Sequence, residues 1–281
     1  MPDEAVRALH LPLGPAGSGR LRHAAAMAHH ARGALSNTAL EAFRVLAPRD
    51  RDDPAWLLKG ERLPELAPLT PVEQVERLRL ELLDLLRRLR GPGVTKTRRA
   101  LAAAGEPVAT FDRVRELVEP WLTSALAALA VAKPTLARAL AESAPHLLWK
   151  RYDYSGPGIG PAFPSGHAFC TLAGEADGPF RVTGLDIGLF VMAPGLFYRD
   201  HAHPAPELYL PLTGPHRWRF APDAPLVKRA ALDPIWNEPE APHVIKVGPV
   251  PFLALYAWLD RAGDAAWVVP ASDWARHEGP A

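Results

Sequence analysis

Between residues 71 and 90 apolar side chains return every three or four positions, at Val72, Val75, Leu78, Leu82, Leu85, Leu86 and Leu89. That period puts them on one face of a helix and predicts that the face is buried against another element. Thr70, Pro71 and Glu73 form a capping-box signature with proline at the first helical position, and Gly91-Pro92-Gly93 ends the segment. The same Ala-, Leu- and Arg-rich pattern predicts helices near 20–46, 94–104, 111–132 and 135–149. The fourth helix is expected to break at Pro120, which has no backbone donor and restricts the residue before it.

After Lys150 the pattern changes. Gly156-Pro157-Gly158 and Gly160-Pro161 are turn signals. Short apolar or alternating runs follow at 180–184, 187–193, 207–212, 216–220, 226–230, 243–247 and 251–259. Such spacing predicts an all-β sandwich or barrel. The chain therefore reads as α+β, with a helical region over 1–150 and a β-rich region over 151–281. The amphipathic stripe of 71–90 is expected to pack beside or over the strands.

Composition narrows the classes. Hydrophobic residues make up 48% and charged residues 22% of the 281, as in globular proteins generally. A net charge of +1 gives no reason to expect nucleic acid or an anionic membrane as partner. Cys170 is the single cysteine, which excludes an intramolecular disulfide and a thiolate-rich zinc site. The start, Met1-Pro2-Asp3-Glu4, does not resemble a signal peptide, and no run approaches the roughly 18 apolar residues of a membrane span. A cytoplasmic location is the expectation.

The segment Tyr198-Arg-Asp-His201-Ala-His203-Pro-Ala-Pro-Glu207-Leu-Tyr209 carries the chemistry. If one strand runs through it, His201, His203, Glu207 and Tyr209 share a face, and Leu208 and Leu210 point the other way. Two imidazoles and a carboxylate on one face suit a single divalent metal ion. Pro204 and Pro206 cannot donate ladder hydrogen bonds, so an edge or bulged segment is expected there.

The spacing Gly195, five residues, His201-x-His203, three residues, Glu207, six residues, Gly214 resembles the first motif of the cupin superfamily at every position. The resemblance implies a double-stranded antiparallel β-helix, a jelly-roll-like barrel. It also implies a further histidine ligand downstream, which His243 in Pro242-His243 matches, although Glu240 and Val247 stand where the second motif usually has glycine and asparagine. The implied site is one divalent transition metal ion (Zn, Fe(II), Mn, Ni or Co) on His201, His203, Glu207 and His243.

Within the cupins, Tyr198, Glu207, Tyr209, Pro211-Leu-Thr-Gly214, Trp236, Pro242-His243 and Leu253-Ala-Leu-Tyr-Ala-Trp258 resemble the dimethylsulfoniopropionate (DMSP) lyases over about 152–269. Such a resemblance implies a metal-dependent carbon–sulfur lyase that β-eliminates DMSP, or a related β-substituted carboxylate, to acrylate and dimethyl sulfide. Tyr209 matches the family tyrosine proposed as base and Tyr198 a second pocket tyrosine. A nearby cation favours the phenolate that such a base requires. Aromatic faces attract a sulfonium, so Tyr152, Tyr154, Trp218, Trp236 and Trp258 are candidate pocket residues, each also well suited to a core. The partner expected is a small-molecule carboxylate, with a homodimer left open. Two other readings compete: a cupin dioxygenase using ferrous iron, and a non-catalytic cupin that senses a small molecule.

Two other features have plainer readings. Pro164-Ser165-Gly166-His167 resembles a fragment of a lipid-phosphatase signature, without the companion motifs that chemistry needs. His23, His29 and His30 are expected at exposed positions of the first helix.

Overall fold

The computed structural model describes residues 8–61, 63–64, 69–108, 118–152 and 158–278. Compactness divides the chain into two units, Met1–Leu69 and Thr70–Ala281. The change from helix to strand falls near 150, but packing does not divide there, because helices from 71 onward share a core with the strands. No helix among the described residues is long and apolar enough to cross a membrane.

In the first unit the stretch expected as one helix is two, α1 (Ser18–Ala31) and α2 (Asn37–Leu46). Gly33 adopts a positive φ of 71° between them, and the Ser36 side chain accepts from Ala39 N–H to start α2 afresh. Ala25, Ala26, Ala39, Ala42 and Phe43 form the core of the pair. His29 is buried rather than exposed, since it falls on this inner face.

In the second unit α3 (Pro71–Arg87) carries the expected capping box. Thr70 N–H donates to Glu73 Oε2 at 2.8 Å, and Glu73 N–H donates to Thr70 Oγ1 at 3.4 Å. There follow α4 (Val94–Ala103), α5 (Glu119–Ala132) and α6 (Pro134–Ser143). The expected start of a helix at 111 lies outside the described residues. Pro120 sits in the first turn of α5, where its missing N–H has no consequence.

Eleven strands are described: β1 (His167–Gly174), β2 (Phe180–Arg181), β3 (Asp186–Met192), β4 (Phe197–Ala202), β5 (Glu207–Pro211), β6 (His216–Arg219), β7 (Val227–Arg229), β8 (Ile235–Asn237), β9 (His243–Lys246), β10 (Phe252–Trp258) and β11 (Trp267–Val268). They make a six-stranded sheet in the order β2-β1-β3-β10-β5-β8 and a five-stranded sheet in the order β11-β4-β9-β6-β7. All pairings are antiparallel except β1 with β2. The architecture is cupin-like, but the sheets remain two and do not close into one barrel.

The six-stranded sheet is buried on both faces. Leu189, Val191, Leu208, Leu210, Leu253 and Leu255 join Leu78, Leu82, Leu101, Leu122 and Leu140 of α3–α6 in one core. The alternate residues, Phe190, Met192, Tyr209, Phe252 and Tyr256, join Tyr198, Trp218 and Ile245 of the other sheet in a second core. Leu208 and Leu210 thus point away from Tyr209, as strand alternation requires. Double burial also explains why β1, eight residues all buried, shows no polar alternation along its sequence.

Candidate metal centre

The expectation of one strand through 201–209 is corrected. β4 ends at Ala202 in the five-stranded sheet and β5 begins at Glu207 in the six-stranded one. Pro204 and Pro206 occupy the crossing, where a ladder donor would have no partner. The site is therefore assembled from both sheets. His201 lies on β4 directly opposite His243 of β9 in the pairing register. His203 sits in the crossing, and Glu207 opens β5.

His203, Glu207 and His243 are fully buried, and their potential ligand atoms all lie within 4.8 Å of one another. His203 Nε2 is 3.2 Å and His243 Nε2 is 3.3 Å from Glu207 Oε2. Each imidazole is oriented by its other nitrogen, with Nδ1 2.9 Å from Ala205 O in His203 and 3.0 Å from Ala241 O in His243. A carbonyl can only accept, so Nδ1 carries the proton and Nε2 presents its lone pair to the cluster. His243 Nε2 is buried with no hydrogen bond of its own. An orphaned, outward lone pair beside a carboxylate is the donor set of a divalent ion, and the residues present fit one.

His201 has the same tautomer, its Nδ1 2.8 Å from Arg199 O. Its ring centroid is 4.1 Å from that of His243, but it stands outside the three-residue cluster. Burial first, and then the neighbouring His243, holds His201 well below the ordinary histidine value and therefore neutral. Burial alone would raise the Glu207 carboxyl; His203 and then His243, whenever their rings also carry a proton on Nε2, outweigh it and hold the group well below the usual carboxylate range.

Glu207 has two further partners that were not singled out as such. Trp258 Nε1–H donates to Oε1 at 2.8 Å, and the same indole stacks on His203 with centroids 4.4 Å apart. Asn237 Nδ2 donates to Oε2 at 2.8 Å. Trp258 was expected only as a pocket aromatic. Asn237 lies on β8, a three-residue strand too short to announce itself, and its one signal was a polar residue alternating with Ile235.

A cavity of about 340 Å³ opens on this cluster, lined by Tyr152, Tyr198, His201, His203, Glu207, Tyr209 and Trp258, with Ala262 and Asp264–Ala266 also in its wall. Tyr198 is stacked between Phe163 and His201, at 4.1 and 3.8 Å between centroids. Tyr209 is backed by Trp218, 5.4 Å away between centroids. Trp218 itself is wholly buried in the inter-sheet core, and Trp236 packs against the helical core, so neither lines the cavity. Trp236 lies so close to Gly93 that a Cβ there would sit 2.5 Å from its ring, and Gly93 also has a φ of 73°. Tyr154 lies outside the described residues. His167 of the phosphatase-like fragment is structural. It is buried, its Nδ1 is 2.6 Å from Phe163 O, and its Nε2 accepts from Tyr152 N–H at 2.9 Å. Burial pushes its pKa down to about 4.

The sequence profile of the dimethylsulfoniopropionate lyases matches residues 94–254, more than half of the chain. The chain belongs to the DMSP lyase family. The DMSP lyase DddQ of Ruegeria pomeroyi is 32% identical over 108 residues, which are 38% of this chain and 53% of that protein. The chain thus aligns with about half the length of this curated relative. A crystal structure of DddQ from Ruegeria pomeroyi DSS-3 superposes with a TM-score of 0.55 at 22% identity, covering 70% of this chain and 96% of that one. A second solved structure, from work on the DMSP lyases RdDddP and RnDddQII, gives a TM-score of 0.55 at 22% identity over 72% of this chain and all of that one. The structural likenesses establish the shared fold.

Proposed function

We propose that this DMSP lyase family member is a metal-dependent carbon–sulfur lyase that cleaves DMSP to acrylate and dimethyl sulfide. The observation that carries the reading is the buried cluster of His203, Glu207 and His243, whose members His203 and Glu207 open on a cavity that Tyr209 and Tyr198 also line. A divalent ion held by His203, Glu207 and His243, with His201 beside them, would supply Lewis-acid chemistry: grip on the substrate carboxylate and stabilisation of enolate-like charge.

The chain's own residues do the rest. Tyr209 takes the proton from the carbon beside the carboxylate. As the C–H electrons form the C=C bond of acrylate, the C–S bond breaks and its pair leaves on dimethyl sulfide. Tyr209, as its phenolate, accepts that proton and is the general base, and Tyr198, locked between Phe163 and His201, orients the substrate. Tyr152 and Trp258 present aromatic faces to the sulfonium.

The test is direct. Purified chain loaded with a divalent ion is incubated with DMSP and the headspace analysed for dimethyl sulfide. Release that disappears on chelation and returns with metal supports the reading. A metal-loaded chain that releases none overturns it.

A further inference from the structure

We propose that Asn237 is a positioning residue that holds the Glu207 carboxylate in its metal-binding orientation. The inference rests on the reading of His203, Glu207 and His243 as a metal centre. Asn237 lies directly opposite Glu207 in the pairing of β8 with β5. Its neighbours follow the strand period, with Ile235 turned to the inter-sheet core and Trp236 turned to the helices. Position 237 therefore belongs to an inward, buried face where an apolar residue would pack well. The amide found there is buried, and its Oδ1 makes no hydrogen bond. A buried acceptor without a partner is unfavourable, so nothing in the packing accounts for an asparagine.

What the amide does provide is one N–H aimed at Glu207 Oε2, at 2.8 Å. Oε2 is the oxygen nearest the Nε2 atoms of His203 and His243. With Trp258 donating to Oε1, each carboxylate oxygen has a fixed donor, and rotation about the last side-chain bond is stopped with Oε2 facing the imidazoles. The orientation of the amide follows from the same contact, because turning it over would set Oδ1 against the carboxylate. Hydrogen bonds of this outer kind orient a ligand that a long, flexible Glu side chain would otherwise present in several rotamers.

The experiment titrates the metal-free full-length chain with Co²⁺. Binding is read from the visible absorption of the bound ion and from competition with a chelator. Asn237→Leu is expected to lower Co²⁺ affinity by about tenfold to a hundredfold and to alter the absorption bands. The thermal midpoint of the metal-free chain should stay the same or rise, since the orphaned Oδ1 goes with the amide. Asn237→Ala removes the donor without adding charge, and should lose affinity about as strongly. If Asn237→Leu does not fold, Asn237→Ala decides alone by the same measure. Wild-type affinity and bands in the folded variants, or a fall in thermal midpoint with affinity unchanged, overturn the inference and leave the metal centre standing. A wild-type chain that takes up no Co²⁺ overturns both together.

Discussion

Asp273 offers a sharp test of how the C-terminal segment is held against the five-stranded sheet. Arg219, its side chain wholly buried, donates from Nε and Nη2 to Asp200 at 3.0 and 2.5 Å, and from Nη1 to both oxygens of Asp273 at 2.8 and 2.7 Å. Trp274 Nε1–H donates to Asp200 Oδ2 at 2.7 Å. β11, just before this clasp, pairs with β4 at Val268 opposite His201, and the residues leading into β11 line the cavity. The Arg219 guanidinium holds the Asp273 carboxyl down at about 2, from an ordinary 3.8. At 1.36 kcal/mol for each tenfold change in proton affinity, that difference corresponds to about 2.5 kcal/mol. Asp273 is 19% exposed, so screening by solvent reduces the expected contribution to about 1–2 kcal/mol.

Because the folded value lies below the unfolded one, the contribution is complete above about pH 4 and fades as pH falls toward 2. Asp273→Asn should therefore cost about 1–2 kcal/mol at pH 7, and the gap from wild type should close between pH 4 and 2. Urea unfolding of both chains across that range, followed by near-ultraviolet circular dichroism, measures it. A gap that is absent at pH 7, or that persists unchanged at pH 2, would refute the ion-pair reasoning. Arg219→Met should be the worse change, costing about 3–5 kcal/mol, because it leaves the buried Asp200 carboxylate without its counter-charge.

Three further outcomes are expected. Tyr209→Phe should retain metal by elemental analysis yet lose about a hundredfold to ten thousandfold in DMSP turnover, the worth of a positioned base. His203→Ala and Glu207→Ala should each lose most of their bound divalent ion, measured by elemental analysis after dialysis; full occupancy in both would remove the proposed ligand set. Leu82→Ala, on the face of α3 buried in the core that helices and strands share, should destabilise the fold by about 2–5 kcal/mol in denaturant titration.

Local rules were enough for the elements whose signals are local. The helix at 71–87 was legible from its period and from Thr70, Pro71 and Glu73, because capping and amphipathicity depend on residues a few positions apart. His201, His203, Glu207 and Tyr209 were likewise legible from their spacing, whereas His243 and Tyr198 were legible only through the resemblance to the cupin lyases. Tertiary structure decided what depends on partners remote in the chain. His203 and Glu207 came together across a passage between two sheets rather than along one strand, because prolines at 204 and 206 cannot sustain a ladder. Asn237 acquired its contact with Glu207, 30 residues away, only through strand pairing, and neither residue type nor neighbours announce such a contact. Trp218 and Trp236 were placed in two different cores by which face of which sheet they met. Position 29 became interior because α1 packs on α2. Periodicity records that a face is buried; only the assembled chain says against what.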